Sequence, residues 1–427
     1  MPQVIIDCGG VSTSLRFNET TFFVEPTELD GHKSSCCTGI FHSYKEVKST
    51  EVPLRNVVSA KFATGAVEVR YLVREGKEMR LKLSMTRGAI KDEDSKRTKE
   101  WCEALLRAAY QGANPSKNLK VLVNPHGGLD TTRSGHALEI AREMKLGYDA
   151  LHQHREKAFR MPIVPIPTGS ANGMSLNLLG LQDGLDVCAA ALNVLKGQPL
   201  KTDLFSFTQG DHQRISFMSQ TIGLIADADI ETENLRWMGD TRFILGYIRA
   251  VIARKSCPIE LSMKVVDQDK SRMMDALDDK KLDGTSSSHG EWTRFEKPIL
   301  WDIRWPRALM SSTRDFMPFP VSLADDGLID ISVLEITSRR NLLRAVDGAE
   351  EGRPYWMNSN RYFKASAYRA RPLAPTGTLV VDGEQVPFEE FQVDVLHRLG
   401  TFLSPYPYYA PEFVVQDAQG KTRRTSV

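Results

Sequence analysis

Two glycine-bearing turns and three acidic or basic clusters carry the residue types that could do chemistry in this chain. Asn124-Pro125-His126-Gly127-Gly128 follows an apolar run at residues 119–123, and Thr168-Gly169-Ser170-Ala171-Asn172-Gly173 follows a second run at residues 163–166. Glycine lets backbone N–H groups approach an anion closely, and a hydroxyl and an amide at a helix start add donors, so each junction suits a phosphate. Either one alone is equally the signature of an ordinary turn. Downstream lie Asp227 and Asp229, then Arg236 and Arg242, then Asp382-Gly383-Glu384. A carboxylate can hold a cation by charge-assisted hydrogen bonds, guanidinium forks match phosphate oxygens, and carboxylate oxygens suit a hard divalent cation. The plainer readings are loop carboxylates capping a helix, solvated arginines and a common Asp-Gly turn.

The elements that must position these residues follow from patterning. Alternation at residues 67–73 and 79–85 predicts half-buried strands, and Trp101, Leu105, Ala108 and Ala109 recur at helical spacing before Gly112 and Pro115. Several strands closed by one helix with a buried Trp resemble a pleckstrin-homology-like barrel over residues 1–112; an α+β extension with no lipid-binding role is the alternative. The run 119–123 reads as a buried parallel strand opening a new domain, and 163–166 as another strand. Helices are predicted from Asn172, from an Asp186 cap to Gly197, and over 241–254, where Phe243, Ile244, Tyr247, Ile248 and Val251 form one stripe. Strands are predicted at 205–207, 215–218, 221–225, 259–266, 299–303, 329–334, 378–381 and 391–395. Residues 267–297 are too polar to bury much surface and are expected to form a mobile loop, and the tail at 416–427 is expected to fray.

The chain has 427 residues, enough for two or three domains at ~100–200 residues each. With 55 Lys+Arg against 54 Asp+Glu, the net charge of +1 gives no broad field for nucleic acid, so none is expected as a partner. Six cysteines without repeated Cys-x-x-Cys spacing suggest a reduced, cytoplasmic setting, and Cys36-Cys37 reads as a pair of idle thiols rather than an acylation site. No segment reaches the ~18 apolar residues of a spanning helix, so any membrane contact is expected to be peripheral.

Taken together, the two turns with Thr131 and His136-Ala137 resemble the catalytic domain of the diacylglycerol kinase superfamily, and most closely the sphingosine (long-chain base) kinases. The resemblance covers roughly residues 118–405 and includes the runs 222–231 and 236–243, Asp326-Gly327-Leu328-Ile329-Asp330, and Val381-Asp382-Gly383-Glu384. It implies a truncated α/β nucleotide-binding domain at 118–185 and a mainly antiparallel β-rich lipid-binding domain at 186–410, behind the pleckstrin-homology-like α+β extension. It also implies an ATP-dependent lipid kinase using Mg²⁺ and acting on the primary hydroxyl of a sphingoid base, with the membrane surface as a peripheral partner. In that reading Asn124, Gly127, Gly128, Thr131, Gly169, Ser170, Asn172, Arg236 and Arg242 serve the nucleotide. Asp382 and Glu384 serve the nucleotide or Mg²⁺, Asp229 holds the lipid ammonium, and Asp227 is a second candidate for the substrate.

One departure bears on activity. The family's Gly-Asp-Gly motif, whose Asp is expected to activate the attacking hydroxyl, is absent, so no catalytic base can be named. Gly147-Tyr148-Asp149-Ala150 runs directly into Leu151-His152-Gln153-His154, and Gly128 is followed at once by Leu129-Asp130-Thr131. A βαβ unit takes ~30 residues or more, whereas Asn124 to Gly169 spans only about 45, so two complete units do not fit. The chain is then either an incomplete gene model of an active kinase or a catalytically dead relative that binds lipid. Diacylglycerol or ceramide kinase activity is the other reading left open.

Overall fold

The computed structural model describes residues 2–27, 49–77, 79–90, 95–111, 113, 159, 161–168, 172–232, 235, 238, 241–253, 257–279, 291–295, 299–305, 317–346, 352–409, 413–416 and 422–425. The chain divides into two compact units, one of Met1–Leu119 with Ala191–Gly197, the other of Lys120–Ala190 with Gln198–Val427.

The first unit is an antiparallel meander of β1 (Gln3–Asp7), β2 (Ser12–Phe17), β3 (Thr21–Pro26), β4 (Thr50–Pro53), β5 (Val57–Ala63), β6 (Ala66–Glu75) and β7 (Arg80–Ala89). Their spatial order is β4-β3-β2-β1-β7-β6-β5, with β1 meeting β7 only at Asp7 and Ala89. The period-2 pattern of β6 puts Val67, Val69 and Tyr71 inside and Arg70 outside. Helix α1 (Ser95–Ala109) closes the sheet with Trp101, Cys102, Leu105 and Ala109 on its buried stripe. Trp101 meets Phe17 edge-on at 5.8 Å, and Phe22 meets Tyr71 at 5.6 Å. Truncating such a buried Trp to Ala costs about 3–5 kcal/mol.

In the second unit, α2 (Gly173–Asp183) and α3 (Val187–Lys196) lead into β8 (Gln198–Gln209), β9 (His212–Ser216) and β10 (Gln220–Gly223). Then come α4 (Leu224–Ile230), α5 (Thr241–Ala253), β11 (Ile259–Asp267), α6 (Lys270–Asp279), β12 (Thr293–Phe295), β13 (Ile299–Trp305) and β14 (Ile329–Glu335). After α7 (Arg339–Val346) and α8 (Arg353–Trp356) follow β15 (Asn360–Pro372), β16 (Leu379–Val381), β17 (Glu384–Val386) and β18 (Phe391–Ser404). The strands form one antiparallel sheet in the order β17-β16-β10-β13-β14-β15-β18-β8-β9, with β11 beside β15 and β12 beside β11. One core, built around Phe205, Phe207, Ile331, Tyr368 and Phe391, lies among the strands. A second, with Leu176, Val251, Met273, Phe319 and Tyr362, packs helices against the sheet. The described residues are thus mixed α/β with antiparallel sheets.

Several sequence expectations change. The strand expected at 163–166 shrinks to a single bridge, Ile163 to Phe402. Pro162 and Pro165 lack the N–H that a ladder needs on either side. The loop expected over 267–297 contains α6, whose Met273, Met274 and Leu277 are buried, and β12, which pairs with β11. Three apolar residues at helical spacing, behind an Asp269 carboxylate that accepts from the N–H of Ser271 (2.9 Å) and Arg272 (3.1 Å), account for α6. The strand expected at 221–225 ends at Gly223, where φ of 77° turns the chain into α4. The fraying tail instead pairs β19 (Phe413–Gln416) with β20 (Thr422–Thr425). Ile248 is 44% exposed, so the apolar stripe of α5 is not wholly inward. The strand expected at 119–123 lies outside the described residues.

Candidate functional site

The acidic pair at 227 and 229 owes its position to two glycines. Strand β10 is held between β16 and β13, and only a residue free to take positive φ can turn it sharply into a helix, which Gly223 does. Helix α4 follows at once, with Asp227 in its first turn, where a carboxylate is favoured by the helix dipole. Behind it lies α5, brought close by Gly246: a Cβ there would stand 2.7 Å from the Ala228 carbonyl oxygen and 2.9 Å from Thr232 Cγ2. The Thr232 hydroxyl donates to the Ala228 carbonyl at 2.7 Å and closes the C-terminal turn. Asp227 and Asp229, both half-buried, flank the buried Ala228, and as residues two apart on a helix they leave α4 on different faces. The Tyr247 hydroxyl donates to the Leu342 carbonyl at 2.8 Å, and Arg339 donates to the carbonyls of Val251 (3.3 Å) and Ile252 (2.8 Å), anchoring the end of α5 to α7.

At the other end of β10 the geometry has a different character. Asp382, in a left-handed turn with φ of 53°, has its carboxylate enclosed by residues 216–219. It accepts from Ser216 Oγ (2.9 Å) and from the N–H of Phe217 (3.1 Å), Met218 (2.8 Å) and Ser219 (2.8 Å). Burial pushes this carboxyl above the usual range, against the pull of the four donors. Its lone pairs are occupied by the turn, which fits a metal ligand poorly. Glu384, at the start of β17, is exposed and open to solvent. Register sets Gln220 opposite Val381, so Asp382 and Glu384 lie about one β10 length from α4, roughly 13 Å at 3.3 Å per residue. Among the described residues no three His, Cys, Asp or Glu side chains gather to hold a metal ion.

The Asp-Gly-Leu-Ile-Asp run is a buried charge network that the sequence reading matched without assigning a role. Lys364 of β15, wholly buried, lies 2.6 Å from Asp326 and 3.2 Å from Asp330. The Tyr362 hydroxyl donates to Asp330 at 2.7 Å. Burial pushes the Asp326 carboxyl up to about 7, although the Lys364 ammonium pulls it down. Asp203 joins the cluster, accepting from the N–H of Gly327 (2.6 Å) and Arg398 (2.7 Å) and facing His397 Nδ1 at 3.1 Å. Asp203 and Lys364 were missed as functional candidates. Their one sequence signal is a charge inside an otherwise apolar or small-residue strand.

Of the remaining expected site residues, Asn172 precedes the first residue of α2. Arg242 stands in the first turn of α5, and only its backbone is described. Asn124, Gly127, Gly128, Thr131, Gly169, Ser170 and Arg236 lie outside the described residues.

Comparison with known proteins completes the picture. A family model described as a domain of unknown function (DUF7493) matches residues 6–111. The chain is 30% identical to sphingoid long chain base kinase 4 of Schizosaccharomyces pombe over 367 positions, covering 72% of this chain and 79% of that protein. Since 72% of 427 residues is about 307, about 60 of those 367 positions face no residue of this chain. It is 24% identical to sphingoid long chain base kinase 5 of Saccharomyces cerevisiae, over 73% of this chain and 62% of that one. With sphingosine kinase 1 of Arabidopsis thaliana the identity is 23%, over 84% and 92%. Among solved structures, a putative diacylglycerol kinase from Bacillus anthracis aligns with 57% of this chain and 69% of its own at 15% identity and a TM-score of 0.40.

Proposed function

The chain belongs to the sphingoid long-chain base kinase family, and from that premise we propose that Asp229 receives the ammonium of a sphingoid base whose primary hydroxyl takes the γ-phosphoryl group of ATP. The observation that supports this is the α4–α5 pair, in which a positive-φ glycine and a close helix crossing set the backbone of the short helix that carries Asp229. A carboxylate at that position selects a cationic lipid over a neutral one by a charge-assisted hydrogen bond. Asp227 is the second carboxylate on the same helix. The phosphates fall to the two glycine turns, with Arg236 and Arg242 neutralising charge, because positioning and electrostatics supply most of the catalysis in phosphoryl transfer. Mg²⁺, held by a carboxylate, would neutralise phosphate charge. Of the two acidic residues proposed for it, Glu384 is the one with solvent access, Asp382 being held by the 216–219 turn.

The incomplete-gene-model reading is supported by the about 60 alignment positions that face no residue of this chain, the size expected for a lost strand–helix segment and its motif. The rival, a catalytically dead lipid-binding protein, is favoured by the absence of any Gly-Asp-Gly in the sequence. Sequencing the transcript across the codons for Gly128–Thr131 and Ala150–Leu151 decides between them: an inserted segment is expected, and uninterrupted joins in every transcript would overturn the incomplete-model reading.

Peripheral membrane association, in the cytoplasm, is part of the proposal. Leu245, Ile248 and Ile252 are 38%, 44% and 63% exposed along one side of α5, and Leu343 of the contacting α7 is 54% exposed. The exposed Arg249, Arg340 and Arg344 accompany them, the combination that docks on an anionic bilayer. Among the described residues no single helix is long and apolar enough to cross a membrane. For the first unit, seven antiparallel strands closed by one helix support the pleckstrin-homology-like reading. Phosphoryl transfer tested on sphingosine, diacylglycerol and ceramide, with the complete reading frame, is expected on sphingosine alone. Equal transfer to diacylglycerol would refute the assignment.

A further inference from the structure

Strands β11 and β15 turn Leu261, Met263, Tyr368 and Ala370 into the core and leave an outer face to solvent. Period 2 puts Glu260, Ser262 and Lys264 of β11 on that face, beside Arg369 and Arg371 of β15. Register sets Ser262 between Arg294 of β12 and Arg369, so two arginine stems rise on either side of one hydroxyl, about 10 Å apart across two strand spacings. Trp292, two residues before Arg294, shares the face. Its ring lies 5.3 Å from Lys264 Nζ and 5.2 Å from Arg369 Cζ, and the residue is 41% exposed.

Charge on this face is unbalanced. Glu260 accepts from Arg371 at 2.6 Å and pairs with Arg294 at 2.9 Å, one carboxylate for two guanidiniums. Arg369 donates to Gln392 Oε1 at 2.8 Å, and among the described residues neither it nor Lys264 forms an ion pair. The carboxylates Asp394 and Glu390 lie on the β18 side, where Asp394 accepts from Gln392 Nε2 at 2.9 Å, so the cations gather toward β12. An aliphatic group stands beside them. The Leu373 N–H donates to the Pro258 carbonyl at 2.8 Å, which carries the β15 pairing one residue further and puts Leu373, 59% exposed, on the side of Arg369 and Arg371.

We propose that this outer face of β12, β11 and β15 docks on an anionic bilayer, with Lys264, Arg294, Arg369 and Arg371 against the lipid headgroups, Trp292 at headgroup level and Leu373 at the acyl boundary. Each Lys or Arg near a negatively charged leaflet adds attraction, and a Trp ring favours the interface between water and hydrocarbon. Leu373 separates the bilayer from other polyanions. A single-stranded nucleic acid would take the guanidiniums and stack on the ring but gains nothing from an exposed aliphatic side chain, which a bilayer buries. The surface is distinct from α5 and rests neither on it nor on the kinase reading.

Trp292 is one of six tryptophans, so its emission is taken on the full chain as the difference between the wild type and Trp292→Phe. With vesicles of phosphatidylcholine and about 30% phosphatidylserine, that difference spectrum is expected to shift to the blue and to be quenched by brominated acyl chains. Arg294→Gln with Arg369→Gln should weaken vesicle binding at least tenfold, two cations at such a surface being worth about thirtyfold, with the melting temperature within about 2 °C of the wild type. Lys96→Gln with Lys99→Gln removes two exposed cations of α1 and should bind as the wild type does. No blue shift from Trp292, or an equal loss in both paired variants, overturns the proposal. So does tighter binding to a single-stranded oligonucleotide than to the vesicles at the same salt, which would make the face a nucleic-acid surface. Ile248→Glu with Ile252→Glu reads α5 separately: binding lost in that variant and full in the arginine pair overturns this face and leaves α5 standing.

Discussion

Replacing Lys364 with Met probes the buried network behind the Asp326–Asp330 run. The wild-type ammonium is wholly buried, 2.6 Å from Asp326 and 3.2 Å from Asp330. Removing one partner of such a group typically costs about 3–5 kcal/mol, because a buried charge is left uncompensated. The loss falls unevenly. Asp330 keeps the Tyr362 hydroxyl at 2.7 Å, while among the described residues Asp326 keeps the Leu328 N–H at 3.1 Å. Asp326 is already raised to about 7 from its ordinary 3.8, so the folded wild type holds a proton that the unfolded chain does not over that interval, and loses stability as pH climbs through it. Without Lys364 the carboxyl rises further. Below pH 6 both proteins carry Asp326 protonated and the difference between them is smallest. Above pH 7 only the variant keeps the proton, and its deficit grows by up to about 1.4 kcal/mol per pH unit. Urea unfolding of both proteins at pH 6, 7.5 and 9 measures this. A deficit that is flat with pH, or that shrinks as pH rises, would refute the reasoning, as would a total loss below about 1 kcal/mol at pH 9.

Three further substitutions bear on the site. Gly246→Ala should destabilise by about 1–2 kcal/mol, the clash with the Ala228 carbonyl outweighing the ~1 kcal/mol that alanine adds to a helix, and should weaken sphingosine binding severalfold; unchanged unfolding and binding would contradict the close crossing. Asp382→Ala removes the acceptor of four hydrogen bonds and should lower stability by roughly 2–4 kcal/mol whether or not Mg²⁺ is present, as thermal unfolding with and without EDTA would show. Ile248→Glu together with Ile252→Glu should reduce sedimentation with anionic vesicles by tenfold or more while leaving the melting temperature within 2 °C, roughly the shift of a surface change; equal sedimentation would rule out docking through α5.

The sequence made some elements plain and hid others for physical reasons. Strand β6 was legible because one face is solvated, so Val67, Val69 and Tyr71 alternate with Glu68 and Arg70. Strand β15 escaped because both its faces are covered: Tyr362, Phe363, Lys364 and Ala365 are buried in succession, and the buried charge among them reads as polar until its two carboxylate partners are known. Helix α6 escaped because its net composition is hydrophilic and its stability comes from three residues reaching a core supplied by distant segments. At the site, Asp227 and Asp229 were visible as a spaced pair, but Gly246, which lets α5 approach Ala228 between them, is an unremarkable glycine inside a helical pattern. Asp382 was visible too, and its type was right for a cation; only the fold shows that four donors from residues 216–219 already hold it.

The most direct test of the central claim is equilibrium binding of sphingosine to the wild type and to Asp229→Asn, with ceramide as the neutral comparison. Loss of a charge-assisted hydrogen bond worth about 1.5–3 kcal/mol predicts a roughly 10- to 150-fold weaker Kd for sphingosine and no change for ceramide. Equal sphingosine affinity in the two proteins, or an equal loss for both lipids, would contradict it.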